Sequence, residues 1–122
     1  MIKKTPYKYL KLSRCASSVG AFSILALDHR NNLRKNLYPE DPASIPDSAL
    51  TELKLDIIST IATYASALLL DPEVSAFPVV TTNARPHSVE LITALETTGY
   101  TGIPSSRESY ILDGWSIENA LE

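Results

Sequence analysis

The sequence predicts an α/β fold built on parallel strands, and three observations carry that prediction. Two apolar runs, residues 21–27 and 65–70, are nearly unbroken, as strands buried on both faces of a parallel sheet are. Each run stops abruptly on charge, at Asp28-His29-Arg30 and at Asp71-Pro72-Glu73. Between them lies a stretch of helical periodicity, so the order is strand, loop, helix, strand. That is a βαβ unit, whose strands pair in parallel. Both charged triplets then fall at the C-terminal ends of the strands, the edge where α/β proteins bind ligands.

The elements follow in order. Tyr9, Leu10, Leu12 and Cys15 give residues 6–18 the pattern of a short amphipathic helix, closed by Gly20. The first strand runs over residues 21–27. Residues 36–47 read as a loop, punctuated by Asn36, Pro39, Asp41, Pro42, Ser44, Pro46 and Asp47. Asp47 or Ser48 can cap the helix that follows. Its apolar stripe is Leu50, Leu53, Ile57, Ile58, Ile61 and Tyr64, with Glu52, Lys54, Asp56 and Ser59 assigned mostly to the opposite face.

After the second strand, residues 74–89 read as loop. Residues 89–96 can be written as helix or strand; their shortness and the Thr97-Thr98-Gly99-Tyr100 exit favour a third strand. Residues 101–114 are loop again. A helix is expected to start near Trp115, capped by Ser116, with Trp115 in the core. Three parallel strands and one long helix cannot cover both faces of their sheet, which a parallel sheet needs. The expectation is therefore an incomplete α/β domain over residues 1–122, with a helical segment at 1–20 and three strands, their connections and the start of the next helix at 21–122.

Composition narrows the function. Apolar residues make up 44% and charged residues 20%, as in globular proteins. With 11 basic and 14 acidic side chains the net charge is −3, which offers no basic footprint for nucleic acid. The longest apolar runs, residues 24–27 and 67–70, are far short of the roughly 20 residues of a membrane helix. The single cysteine, Cys15, excludes an internal disulfide and suits a cytoplasmic protein. It has no activating neighbour in the sequence and reads as an inert thiol.

Asp28-His29-Arg30 is the leading candidate site. A carboxylate can orient a catalytic group, an imidazole titrates near neutrality, and a guanidinium holds phosphate or carboxylate. The competing account has Asp28 capping the next helical turn and Arg30 pairing with an acid on the neighbouring strand. Asp71 ends an adjacent strand and is a second candidate, against a plain Pro turn with solvated acids. Metal binding is not expected: His29 and His87 lie far apart and no pair has zinc spacing. The four glycines are scattered, so there is no phosphate-cradling loop, and Ser105-Ser106-Arg107 reads as a solvated loop. The lysines are Lys3, Lys4, Lys8, Lys11, Lys35 and Lys54, and none lies in or ends a strand.

Phe22-Ser23-Ile24-Leu25-Ala26-Leu27-Asp28-His29-Arg30-Asn31-Asn32-Leu33-Arg34 resembles the first strand and exit of the class I tagatose-1,6-bisphosphate aldolase family, a group that includes the sulfofructose-phosphate aldolases. Residues 64–73 resemble that family's second strand, and Leu95-Glu96-Thr97-Thr98-Gly99-Tyr100 and Gly114-Trp115-Ser116 match in order. The resemblance implies a (β/α)8 TIM barrel of which this chain holds about the first three strands, an apparently truncated N-terminal portion. It implies reversible cleavage of a phosphorylated ketose to dihydroxyacetone phosphate and an aldehyde, through a lysine Schiff base, with neither metal nor other cofactor. Asp28 takes the family's catalytic aspartate position beside that lysine. His29, Arg30 and Asp71 match family positions and are assigned to the substrate side.

The family's Schiff-base lysine, second lysine and active-site glutamate belong to later strands, so residues 1–122 alone are expected to be inactive. Val74-Ser75-Ala76-Phe77 also departs from the aromatic-Gly turn common after this strand. Two other readings stay open: a sister aldolase for a sulfonated sugar phosphate, and a short non-catalytic α/β interaction protein that oligomerises through its uncovered faces.

Overall fold

A computed structural model describes residues 5–97 and 103–120. Lys3, Lys4, Gly99, Gly102 and the Thr98-Gly99-Tyr100 exit lie outside them. The element order is α1 (Pro6–Arg14), β1 (Ile24–Ala26), α2 (Asn31–Leu37), α3 (Asp47–Ile61), β2 (Ala67–Leu70), α4 (Phe77–Thr81) and β3 (Glu90–Thr93), with 3-10 turns at Pro42–Ser44 and Ala62–Tyr64 and a π-helical turn at Pro72–Ala76. The three strands form one parallel sheet in the order β1-β2-β3.

Register is set at both ends of the strands. Ile24 pairs with Ala67, and Ala67 with Glu90. At the N-terminal edge the Ser23 N–H donates to Ser66 Oγ at 2.9 Å, and the Ser66 N–H donates to the Ser23 carbonyl at 2.7 Å. At the C-terminal edge Leu27 N–H reaches the Leu69 carbonyl and Ala94 N–H the Leu70 carbonyl, both at 2.8 Å. The three strand exits are thus held side by side.

The core centres on β2. Ala67, Leu68 and Leu70 are fully buried, and Leu68 and Leu70 pack with Ile58 of α3, Ala62 of the turn after it, Val79 of α4, and Val89. The expectation that residues 21–27 are buried on both faces is corrected. Among the described residues β1 has three residues and one neighbouring strand, and Phe22 and Ile24 are 55% and 44% exposed. Apolar content made both runs look alike; position in the sheet separates them.

Helix α3 forms as the periodicity from Leu50 predicts, but the expected cap is corrected: Asp47 and Ser48 lie inside the helix, and Pro46 holds the cap position with no side-chain bond. Its buried stripe is Leu50, Lys54, Ile58 and then Ala62, every fourth residue, while Ile61 and Tyr64 are exposed. Lys54, expected on the solvent side, is therefore on the core side. Two short helices were not expected. α2 occupies Asn31–Leu37, and residues 72–81, read mostly as loop, form the π-helical turn and α4. Pro72 sits at the start of that turn, where its missing N–H costs nothing. Beyond α4, Asn83 takes a positive φ of 56°, and the Ala84 and Asn83 N–H groups donate back to the Val79 and Val80 carbonyls. Asn tolerates that left-handed position, so the helix closes without glycine.

The helix expected from Trp115 is a turn within the described residues. Ser116 caps it: the Asn119 N–H donates to Ser116 Oγ at 3.2 Å and the Ser116 N–H to Asn119 Oδ1 at 2.6 Å. Trp115 is half-buried and Leu112 takes the buried place instead. α1 forms over Pro6–Arg14, shorter than the expected 6–18, with Cys15 at its C-cap; it is opened by the Thr5 side chain accepting from Lys8 N–H and buries none of its residues. No helix among the described residues is long and apolar enough to cross a membrane.

Cys15 follows α1. Burial pushes its thiol up, the Glu90 charge adds to this, and Lys11 opposes it. The thiolate is the reactive form, so Cys15 is expected to alkylate with iodoacetamide at pH 7.5 more slowly than a free model thiol. A mass-shift time course checks this; an equal or faster rate contradicts it.

Candidate functional site at the strand ends

The C-terminal edge of the sheet opens into a cleft of about 470 Å³. The exit of β1 supplies Asp28, His29, Arg30 and Asn32; β2 supplies Leu69; the exit of β3 supplies residues 93–97. Asp28 is half-buried and His29 exposed. Their side chains approach to 3.7 Å between His29 Nδ1 and Asp28 Oδ1. That is beyond hydrogen-bond length but close enough for a protonated imidazole to be attracted. Asp28 does not cap α2; Arg30 holds the cap position and makes no capping bond from its side chain.

Arg30 lies across all three strand exits. Its own backbone follows β1. One guanidinium nitrogen donates to Glu73 Oε2, after β2, at 2.6 Å, and the other to the Glu96 carbonyl, after β3, at 3.4 Å. The side chain is only 12% exposed, and its buried Nε–H meets no acceptor among the described residues. The pairing of Arg30 with an acid of the neighbouring exit, one of the two readings of the sequence, is what the geometry contains. Arg30 also borders a second cleft of about 500 Å³ with Arg34, Asp47 and Glu73, and so forms the wall between the two. Arg34 in turn pairs with Asp47 and donates from Nε to the Ile45 carbonyl at 2.9 Å, tying α2 to the segment that opens α3.

Asp71 is placed differently from the other three. It is 1% exposed and is not part of the cleft wall. Oδ2 accepts from Lys54 Nζ at 2.7 Å and from Ser75 Oγ at 2.6 Å, while Oδ1 accepts from the Val74 N–H at 2.6 Å. Burial pushes this carboxyl up, but the bonds from Lys54, Ser75 and Val74 and the Lys54 charge outweigh it, leaving Asp71 below the usual carboxylate range. Asp71 and Glu73 are thus neither both solvated nor both in the cleft: one is enclosed, the other faces Arg30.

Lys54 is the residue that the reading of the sequence missed. A signal was there: Lys54 stands four residues after Leu50 and four before Ile58, both on the buried stripe. No lysine lines the cleft among the described residues. No group of three His, Cys, Asp or Glu comes together there as a metal site.

The chain is similar to aldolases along nearly its whole length. The tagatose 1,6-diphosphate aldolase of Streptococcus pneumoniae is 30% identical over 118 residues, 97% of this chain. The chain is a homologue of the tagatose 1,6-diphosphate aldolases. Tagatose 1,6-diphosphate aldolase 2 of Streptococcus mutans is 32% identical over 94% of the chain, and that of Enterococcus faecalis 33% over 96%. These matches cover 34–35% of the relatives, so the chain spans about a third of their length. No protein-family model matches it.

Proposed function

We propose that this chain supplies the Asp28 side of the active site of a class I aldolase, one that cleaves a phosphorylated ketose such as tagatose 1,6-bisphosphate to dihydroxyacetone phosphate and an aldehyde. The observation that carries the reading is the convergence of Asp28, His29 and Arg30 on a sugar-sized cleft at the C-terminal strand edge, in a homologue of aldolases. The architecture proposed with it is the opening of a (β/α)8 barrel. Sequential order β1-β2-β3 with all strands parallel supports this, because a doubly wound sheet reverses its strand order and a barrel does not.

The chemistry needs an amine. A lysine amine condenses with the ketone, releasing water and leaving an iminium. The C4 hydroxyl then loses its proton as the C3–C4 bond breaks, and the bonding pair moves into the iminium to give an enamine. The aldehyde departs, and protonation and hydrolysis return dihydroxyacetone phosphate and the amine. Asp28 faces the position of that cation and stabilises it by charge. His29 contacts the substrate from the same exit, and Arg30 keeps a positive wall beside it while paired with Glu73. Asp71 acts behind the wall. The amine is supplied from outside the cleft described here. The reading places the reaction in the cytoplasm.

Titration with dihydroxyacetone phosphate, followed by 1H–15N NMR, tests the site. Resonances of Asp28, His29 and residues 93–97 are expected to shift, those of Lys11 and Cys15 to stay, and Asp28→Asn to weaken the response several-fold. Shifts absent from the cleft overturn the reading. A second reading, self-association, is favoured by the exposed apolar side chains Tyr7, Tyr9, Leu12, Val19 and Phe22. Light scattering of residues 1–122 checks it: a defined oligomer supports it and a monomer excludes it.

A further inference from the structure

We propose that Lys54 is a positioning residue for the cleft, acting through Asp71 to hold the Glu73–Arg30 pair in place. The inference deepens the aldolase reading and rests on it in one respect, that this cleft is the working end of the sheet. The connection runs through named contacts. Lys54, fully buried in the middle of α3, donates to Asp71 Oδ2 at 2.7 Å. Asp71 gathers the Pro72–Ala76 turn around itself by accepting from the Val74 N–H and Ser75 Oγ. Thr51 Oγ1, also on α3, donates to the Val74 carbonyl at 2.7 Å. The turn fixed in this way carries Glu73, and Glu73 holds Arg30, the wall between the two clefts.

Stability alone does not account for a lysine at this position. A buried ion pair gains little over apolar side chains of similar volume, because both charges lose their hydration. What the pair does provide is direction. An ammonium anchored on a helix can donate only to a carboxylate brought to one place, and that fixes where β2 ends. Lys54 also borders a cavity of about 230 Å³ together with Leu27, His29 and Leu33, so its chain forms part of the support behind His29.

Side-chain hydrogen exchange of Arg30 Nε–H in the 122-residue chain tests the proposal, because that group is buried and reports whether the pair with Glu73 stays closed. In Lys54→Met the exchange is expected to accelerate at least tenfold beyond that in Ile58→Ala. The latter weakens the same buried face of α3 without touching Asp71. Equal acceleration in the two variants, or none in Lys54→Met, overturns the proposal and leaves Lys54 a purely structural residue. Should Lys54→Met fail to fold, Ser75→Ala removes one donor from the same Asp71 oxygen. It is expected to accelerate Arg30 exchange about threefold over the Ile58→Ala control, and an unchanged rate overturns the proposal. No ligand enters this measurement. Faster Arg30 exchange with no cleft shifts on adding dihydroxyacetone phosphate rejects the aldolase reading and keeps the positioning role; the reverse pair of results does the opposite.

Discussion

Lys54→Met is expected to cost about 3–5 kcal/mol of folding stability at pH 7, because it leaves the Asp71 carboxylate buried with no cation. A domain is stable by about 5–15 kcal/mol, so this is roughly a fifth or more of the whole. The double substitution Lys54→Met with Asp71→Asn is expected to recover at least half of the loss. The asparagine carries no charge and its side-chain oxygen still accepts from the Val74 N–H. Urea denaturation of the three proteins checks this through the midpoints.

The sign of the pH dependence follows from the direction of the Asp71 shift. Its folded carboxyl lies below the ordinary value. The stability it contributes is therefore fully present above about pH 4, the usual carboxylate value, and is lost as pH falls further through the depressed folded value. In Lys54→Met the same carboxyl has lost its cation and binds a proton more readily when folded. The gap between wild type and variant is expected to narrow as pH falls through the carboxylate range. A gap that widens on acidification contradicts the account of this pair.

Leu68→Ala is the second large effect expected, at about 2–5 kcal/mol. Leu68 is fully exposed to core on the central strand, with 0% of its surface in solvent, and packs in the cluster of Ile58, Val79 and Val89. Ile24→Ala on β1 removes a comparable side chain that is 44% exposed and is expected to cost about 1 kcal/mol. Denaturant midpoints separate the two. Equal costs would mean that β1 is as enclosed as β2, contrary to the sheet described here.

Much of this was legible in the residues. The apolar run before Asp71 is the central strand, the periodicity from Leu50 is α3, and the short tract near Leu91 is the third strand. These succeed because period and length report local structure directly. The burial of β1 was not legible: residues 21–27 are as apolar as residues 65–70, and only the number of neighbouring strands distinguishes them. The turn after Asp71 was hidden for another reason. Its helix is one π turn held by a side-chain cap and an inserted lysine, contacts that a pattern of Pro, Glu and Ser does not announce.

The candidate site divides along the same line. Asp28-His29-Arg30 was found from charge at a strand end and stands at the cleft. The separation of Asp71 from that cleft depends on Lys54, a residue that charge alone assigned to solvent. Long lysine stems are tolerated inside when an acid meets them, and the acid here comes from a different element of the fold.

The most direct measurement of the central claim is borohydride trapping of residues 1–122 with dihydroxyacetone phosphate. The cleft offers a carboxylate, an imidazole and a guanidinium, and no lysine among the described residues lines it. Reduction followed by intact-mass analysis is therefore expected to show no adduct of specific stoichiometry. A single trapped adduct on a lysine of this chain would place the electron sink within it and contradict the account.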